Sequence, residues 1–226
     1  MAEHMQEEED LEALRRWWEE NGKVIVAAIC LAIFGTVGWQ KYEGYSASQE
    51  EAASDLFMKI VVAKSEERET QDVSAIAQQL RLEHPGSQYA KFGALIEASV
   101  MVERDELANA ETSLRWALAR GNTQSDMGQL IQLRLARVLA SNGEESKAFE
   151  ILNQESKAYP VAYAQAKGDI HLAAGRIAQA LEAYRVAALA ATQLRQFTGM
   201  LDTKIQALET RQDGHNGIAE IEGYAG

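Results

Sequence analysis

Along most of this chain apolar residues recur every three or four positions, separated by short polar breaks, a pattern that predicts amphipathic helices. The spacing predicts helices over 46–65, 70–83, 87–103, 105–120, 125–141, 144–155, 159–173, 176–190 and 192–210. The breaks carry their own chemistry. Pro85-Gly86 cannot continue a helix, and Gly121-Asn122-Thr123 and Asn142-Gly143 combine a left-handed stop with a polar restart. One segment breaks the pattern. Residues 24–40 read VIVAAICLAIFGTVGWQ, seventeen positions without a charge between Lys23 and Lys41, apolar on every side. At the other end, residues 213–226 hold four glycines and little periodicity, which predicts a frayed tail.

At ~1.5 Å per residue the uncharged run covers ~25 Å, a little under the ~30 Å hydrocarbon core of a bilayer. Its flanks make up the difference: Trp17, Trp18 and Trp39 are placed like interfacial aromatics and Lys23 can snorkel. The run therefore predicts one transmembrane helix. Ala28, Ala32 and Thr36 lie four apart on it with Gly35 beside them, a stripe on which another helix could approach closely. Arg15, Arg16 and Lys23 precede the run, and only Lys41 and Lys59 follow it closely, so positive-inside counting leaves the N-terminus in the cytoplasm. A cleaved signal peptide is the competing reading, with small-residue sites at Gly44-Tyr45-Ser46 and Ser46-Ala47-Ser48. Against it stand the long acid-rich leader and the length of the apolar run. In that leader, residues 7–20, Leu11, Leu14, Trp17 and Trp18 form an apolar stripe among acids, suited to the cytoplasmic membrane surface.

Composition narrows the rest. The chain has 226 residues and a formal net charge of −12. Residues 1–23 hold eight acids and three bases, net −5, which leaves −7 on the remainder. An acidic body argues against nucleic acid as a ligand. The single cysteine, Cys30, lies inside the uncharged run, so no intrachain disulfide is possible. With two prolines and abundant Ala, Leu, Glu, Gln and Arg, the body reads as all-helical.

The helices also repeat. Ala110, Ala148 and Ala180 occupy equivalent places, 38 and 32 residues apart. Twelve residues before each lies another small residue, Ala98, Ala136 or Gly168, and four after each a larger apolar one, Leu114, Leu152 or Tyr184. Antiparallel helices approach closely only where both present small side chains, and the larger residue one turn later fills the gap to the next hairpin. The pattern resembles the tetratricopeptide repeat, whose period is ~34 residues. The expected fold is thus all-α: one transmembrane helix, then a tetratricopeptide-like solenoid of about three or four helical hairpins. The first unit is degenerate, with Glu97 where a leucine is usual.

In such a stack the inner helices line a concave groove. Repeat position places Ser99 and Val102 there from the first unit, Leu133, Arg137 and Ala140 from the second, and Gln165, Asp169 and Leu172 from the third. Apolar contacts combined with Arg137 and Asp169 suit an extended peptide or the tail of another domain. No catalytic or metal-binding constellation is legible. His4, His84, His171 and His215 are scattered, the glycines are single helix stops rather than a phosphate loop, and no cofactor is implied.

The layout as a whole resembles the YfgM family, ancillary subunits of the bacterial SecYEG translocon. Glu20-Asn21-Gly22-Lys23 opens the membrane helix and Gly38-Trp39 closes it, as in that family. Leu133-Arg134-Leu135-Ala136-Arg137-Val138 matches the family's central repeat, and residues 200–206 its last helix. The resemblance covers roughly residues 5–210 and stops at the Gly-containing tail. It implies a short cytoplasmic segment at 1–22, a transmembrane helix at 23–41, a periplasmic tetratricopeptide-like domain at 42–210 and a flexible tail at 211–226. It also implies an inner-membrane, non-enzymatic protein beside the translocon. The implied partners are SecYEG, a PpiD-like membrane-anchored chaperone, exported unfolded chains and membrane lipid. The implied role is holding the chaperone near the exit and assisting handover of exported chains. Two alternatives stay open: an envelope or stress-regulator scaffold unconnected to translocation, and an enzyme domain on a membrane anchor.

Overall fold

The computed structural model describes the backbone of residues 2–66 and 70–223, and the side chains of 15–28, 30–66 and 72–212. Among these residues the structure is helical throughout its regular elements. In chain order they are α1 (Ala2–Ser65), α2 (Thr70–Glu83), α3 (Gln88–Glu103), α4 (Leu107–Leu118), α5 (Asp126–Ser141), α6 (Glu145–Leu152), α7 (Pro160–Ala173), α8 (Ile177–Gln193) and α9 (Gly199–Gly223). The chain divides into two compact units, Met1–Ala52 and Ala53–Gly226.

In the first unit the helix holds the uncharged run, and only 6% of its most apolar window is buried. A core helix of a soluble protein would be covered, so this helix is long and apolar enough to cross a membrane and has that face free for lipid. Two of its polar side chains bond within their own turn, as a lipid environment favours. Thr36 donates its hydroxyl to Ile33 O at 3.0 Å, and Asn21 its amide to Trp17 O at 3.0 Å. No helix break falls between 41 and 46. Gly44 is the one weak helix former there, and a single glycine costs only about 1 kcal/mol.

In the second unit, residues 53–65 and α2 pack with α3 around Leu56, Ile60, Val73 and Leu80. The pairs α3/α4, α5/α6 and α7/α8 follow, and α9 closes the stack on α8. The inner helices run parallel. Phe57 stacks against Tyr89 at 5.7 Å, and Lys64, two turns on, reaches Glu103 at 3.2 Å.

Each hairpin is built alike. Asp105, Gly143 and Gly175 hold φ of 63°, 83° and 74°, each five residues before the repeat alanine. In all three turns the next N–H reaches back to the same kind of carbonyl: Glu106 to Met101, Glu144 to Leu139 and Arg176 to His171, at 2.8, 2.8 and 2.9 Å. This is the Schellman closure, which satisfies helix-end carbonyls and turns the chain back on itself. Five residues later the small pairs meet. Ala98, Ala110, Ala136, Ala148 and Ala180 are each at most 3% exposed, and Leu114, Leu152 and Tyr184 at most 1%. At Gly168 there is no room for any side chain, because a Cβ would lie 2.6 Å from the Tyr184 ring.

The degenerate first unit solves its packing differently. Glu97, 1% exposed, is held by the Arg81 guanidinium through two contacts, one at 3.2 Å, and by the Ser113 hydroxyl. Arg81 also donates to Ser113 at 3.0 Å and lies 5.6 Å from the Trp116 ring centre. α2, α3 and α4 are thus joined by one satisfied polar network instead of a leucine.

Two outcomes follow for unfolding of the full-length protein in detergent, followed by circular dichroism. Glu97→Ala leaves Arg81 without its anion and destabilises by about 3 kcal/mol, whereas Arg81→Met with Glu97→Leu costs far less. Gly168→Val forces Tyr184 out of place and costs roughly 2–3 kcal/mol, seen as a lower denaturation midpoint.

Candidate functional site

α3 and α5 stand side by side on the inner face, and a cleft of about 320 Å³ opens between them. Its floor is apolar, made by Leu95, Ala98 and Val102 from α3, Leu114 from α4 and Val138 from α5. Its edges are polar: Ser99 and Glu103 on one side, Arg134, Arg137 and Ser141 on the other. The helical period explains the grouping. Residues 95, 98/99 and 102 lie on one stripe of α3, and 134, 137/138 and 141 on one stripe of α5.

The charges at the two edges differ in state. Lys64 bonds to Ser99 and pairs with Glu103 at 3.2 Å, so the acid on the α3 side is neutralised. Arg134 reaches a backbone carbonyl, Leu95 O, at 3.4 Å, and Arg137 is exposed with no ion pair among the described residues. The cleft therefore has an apolar floor beside guanidinium groups that have no carboxylate partner among the described residues.

Of the expected groove residues, the structure brings Ser99, Val102 and Arg137 together in this cleft. Leu133 is buried in the central core and Ala140 packs against it. Leu172 packs into the C-terminal cluster, and Gln165 is half-buried on α7. Asp169 is taken by the chain itself: Tyr184 donates to it at 2.7 Å and Lys204 of α9 at 2.6 Å. Lys204 also lies 4.9 Å from the Tyr184 ring centre, so α9 is fixed across the third unit by an ion pair and a cation–π contact. Arg134 and Lys64 were not among the expected residues. Arg134 was readable as the residue one turn before Arg137, whereas Lys64 comes from a helix whose place in the stack the pattern does not give. On α1, Ala28, Ala32, Gly35 and Thr36 are all exposed, and a Cβ at Gly35 would meet nothing within 4 Å.

Beyond the cleft, polar side chains fix the backbone that positions it. Gln129 donates to Gln124 O at 2.8 Å and accepts from Ser156 and from Ala158 N at 2.7 and 3.0 Å. Tyr163 donates to Gln129 O at 2.9 Å, tying α7 to α5. Burial pushes the Tyr163 phenol up to about 12. Tyr184 is raised too, first by burial and then by the Asp169 carboxylate it bonds. His171 is held below its ordinary value by burial and by the Arg176 guanidinium, which donates to its Nδ1 at 2.9 Å. Two other hollows flank the stack. One, of about 520 Å³, lies beside Lys91 and the start of α5; the other, about 380 Å³, beside Trp116 and Arg120. Among the described residues no group of three or more His, Cys, Asp or Glu is placed to hold a metal ion.

Repeated helix hairpins with left-handed turns, small residues at the crossings and a capping helix define a tetratricopeptide-like solenoid. The chain belongs to the tetratricopeptide repeat-like domain family, whose model matches residues 15–210. The resemblance to the YfgM translocon subunits holds across known relatives as well. A Haemophilus influenzae protein named "Ancillary SecYEG translocon subunit" is 29% identical over 87% of this chain and 95% of its own length. Proteins of the same name from Aggregatibacter actinomycetemcomitans and Neisseria gonorrhoeae are 28% and 26% identical, over 83% and 81% of this chain and 91% and 88% of their own. No solved structure matches the chain.

The raised tyrosines make the folded state sensitive to alkaline pH. A phenol whose folded value lies above its ordinary 10.0 supports the folded state fully below that pH and loses the contribution as pH rises toward 12. The denaturation midpoint therefore falls between about pH 10 and pH 12, and falls less in Tyr163→Phe, which has no phenol at that site to ionise.

Proposed function

We propose that this protein is a non-catalytic accessory subunit of the Sec translocon, anchored in the inner membrane by α1 with its N-terminus in the cytoplasm. The observation that carries this reading is the shared name of relatives that cover 81–87% of this chain, beside a family model that spans both the uncharged run and the solenoid. The basic residues Arg15, Arg16 and Lys23 ahead of the run support the orientation.

On this reading the solenoid works in the periplasm, and the cleft receives a segment of a membrane-anchored chaperone of the PpiD kind. Exported chains leaving the translocon then meet the chaperone at once. Binding alone supplies the energy. The small-residue stripe Ala28, Ala32, Gly35 and Thr36 is the face on which a translocon or chaperone membrane helix packs, where close approach replaces the missing hydrophobic drive between helices in lipid.

The test is purification of the tagged full-length protein in mild detergent, with mass spectrometry of what accompanies it. Translocon subunits and a periplasmic chaperone are expected with the wild type. Ala28→Leu, Ala32→Leu and Thr36→Leu together remove the translocon subunits, and Arg137→Glu lowers recovery of the chaperone while the translocon is retained. Translocon subunits never rising above background would sink the export reading.

A further inference from the structure

The cleft between α3 and α5 is a positive spot on an acidic protein. Glu103 is already answered by Lys64, while Arg134 has a backbone carbonyl at 3.4 Å and Arg137 no carboxylate among the described residues. Guanidinium groups at the edge of an apolar floor favour a ligand that brings carboxylates beside apolar anchors, presented as one face of a helix.

The chain itself contains such a segment. Residues 213–226 include Asp213, Glu220 and Glu222 and no Lys or Arg. On a helix Ile218, Ile221 and Tyr224 fall three apart on one stripe, with Glu220 and Glu222 on its two flanks. The helix α9 extends to Gly223, whereas its last buried residue among those described is Leu208. The segment also lies beyond residue 210, where the family match ends, so the family fold does not account for it. Glycines at 214, 217 and 223 each cost about 1 kcal/mol in a helix, so a docking surface would add stability that the segment lacks by composition.

It cannot dock in its own cleft while α9 is in place. Lys204 to Asp169 and Arg185 to Glu209, both 2.6 Å, hold α9 on α7 and α8, and α7 stands between α9 and the α3–α5 cleft. A helix continuing from α9 stays at that end of the stack. We propose that residues 213–224 of one copy occupy the α3–α5 cleft of a second copy, with Glu220 or Glu222 against Arg137 and the isoleucines on the Leu95–Val138 floor. Reciprocal exchange closes the pair into a dimer rather than an open chain. Self-association then competes with any other ligand of the cleft. The proposal shares its cleft with the reading given above but needs none of the partners named there.

The test uses the full-length protein alone in detergent micelles, with sedimentation velocity over a concentration series. The wild type forms a concentration-dependent dimer. Arg137→Glu raises its dissociation constant roughly tenfold, as replacing an attractive pair by a repulsive one should. Glu220→Arg with Glu222→Arg does the same, and mixing the two variants restores a mixed dimer because the reversed charges again match. Circular dichroism melts check that the exposed substitutions leave the fold intact. Three outcomes overturn the proposal: a wild type that stays monomeric, a dimer indifferent to both variants, or weakening by both without recovery on mixing. Since only this protein is present, any of these leaves the translocon reading standing, and failure to capture translocon subunits leaves the dimer untouched.

Discussion

Everything in the solenoid depends on how closely the two helices of a hairpin can approach. Gly168 shows the constraint at its limit, with the Tyr184 ring lying where its side chain would be. At the other crossings alanine meets alanine, and the same distance is kept by buried methyl groups. The left-handed turn seven residues after the first small residue, and five before the second, is what brings the two into register. With the crossing fixed, the larger residue at the next turn, Leu114, Leu152 or Tyr184, fills the space toward the neighbouring hairpin. Stacking, and with it the inner face, follows from that one contact repeated.

The departures from the repeat are where chemistry enters. Glu97 replaces a leucine, and burial of its charge is tolerated because Arg81, from the preceding hairpin, and Ser113, from its own, both answer it. The preceding hairpin also supplies Lys64, which pairs with Glu103 at the edge of the cleft. Asp169 meets the opposite fate to Arg137. Two groups of the chain itself, Tyr184 and Lys204, bind it and close the third unit. The inner face is therefore open where arginines are unanswered and closed where an acid has been captured. That asymmetry gives the cleft its charge on a protein of net charge −12.

The membrane helix obeys a separate logic. Only 6% of its most apolar window is buried, and the Thr36 hydroxyl and the Asn21 amide bond to carbonyls within their own turns. A helix of that kind needs lipid or another helix around it, whereas the second unit buries its own core. The two units thus differ in what they ask of their surroundings: the first presents an apolar helix long enough to cross a membrane, and the second buries its own core.

Much of this was legible in the sequence. The uncharged run, the helix stops and the twelve-residue offset between small residues are local or strictly periodic, and they follow from backbone geometry that every copy of the pattern shares. Residues 98, 136 and 168 could be paired with 110, 148 and 180 without coordinates because a hairpin of fixed turn length leaves no other partner. The rest required the tertiary structure. Which inner-face residues meet depends on how successive hairpins stack, so Ser99, Val102 and Arg137 share a cleft while Leu133 turns into the core. Arg81 finds Glu97 across sixteen residues, Lys64 finds Glu103 across thirty-nine and Lys204 finds Asp169 across thirty-five. Periodicity along one helix carries no information about such partners, because the distance between side chains on different hairpins is set only when the hairpins pack.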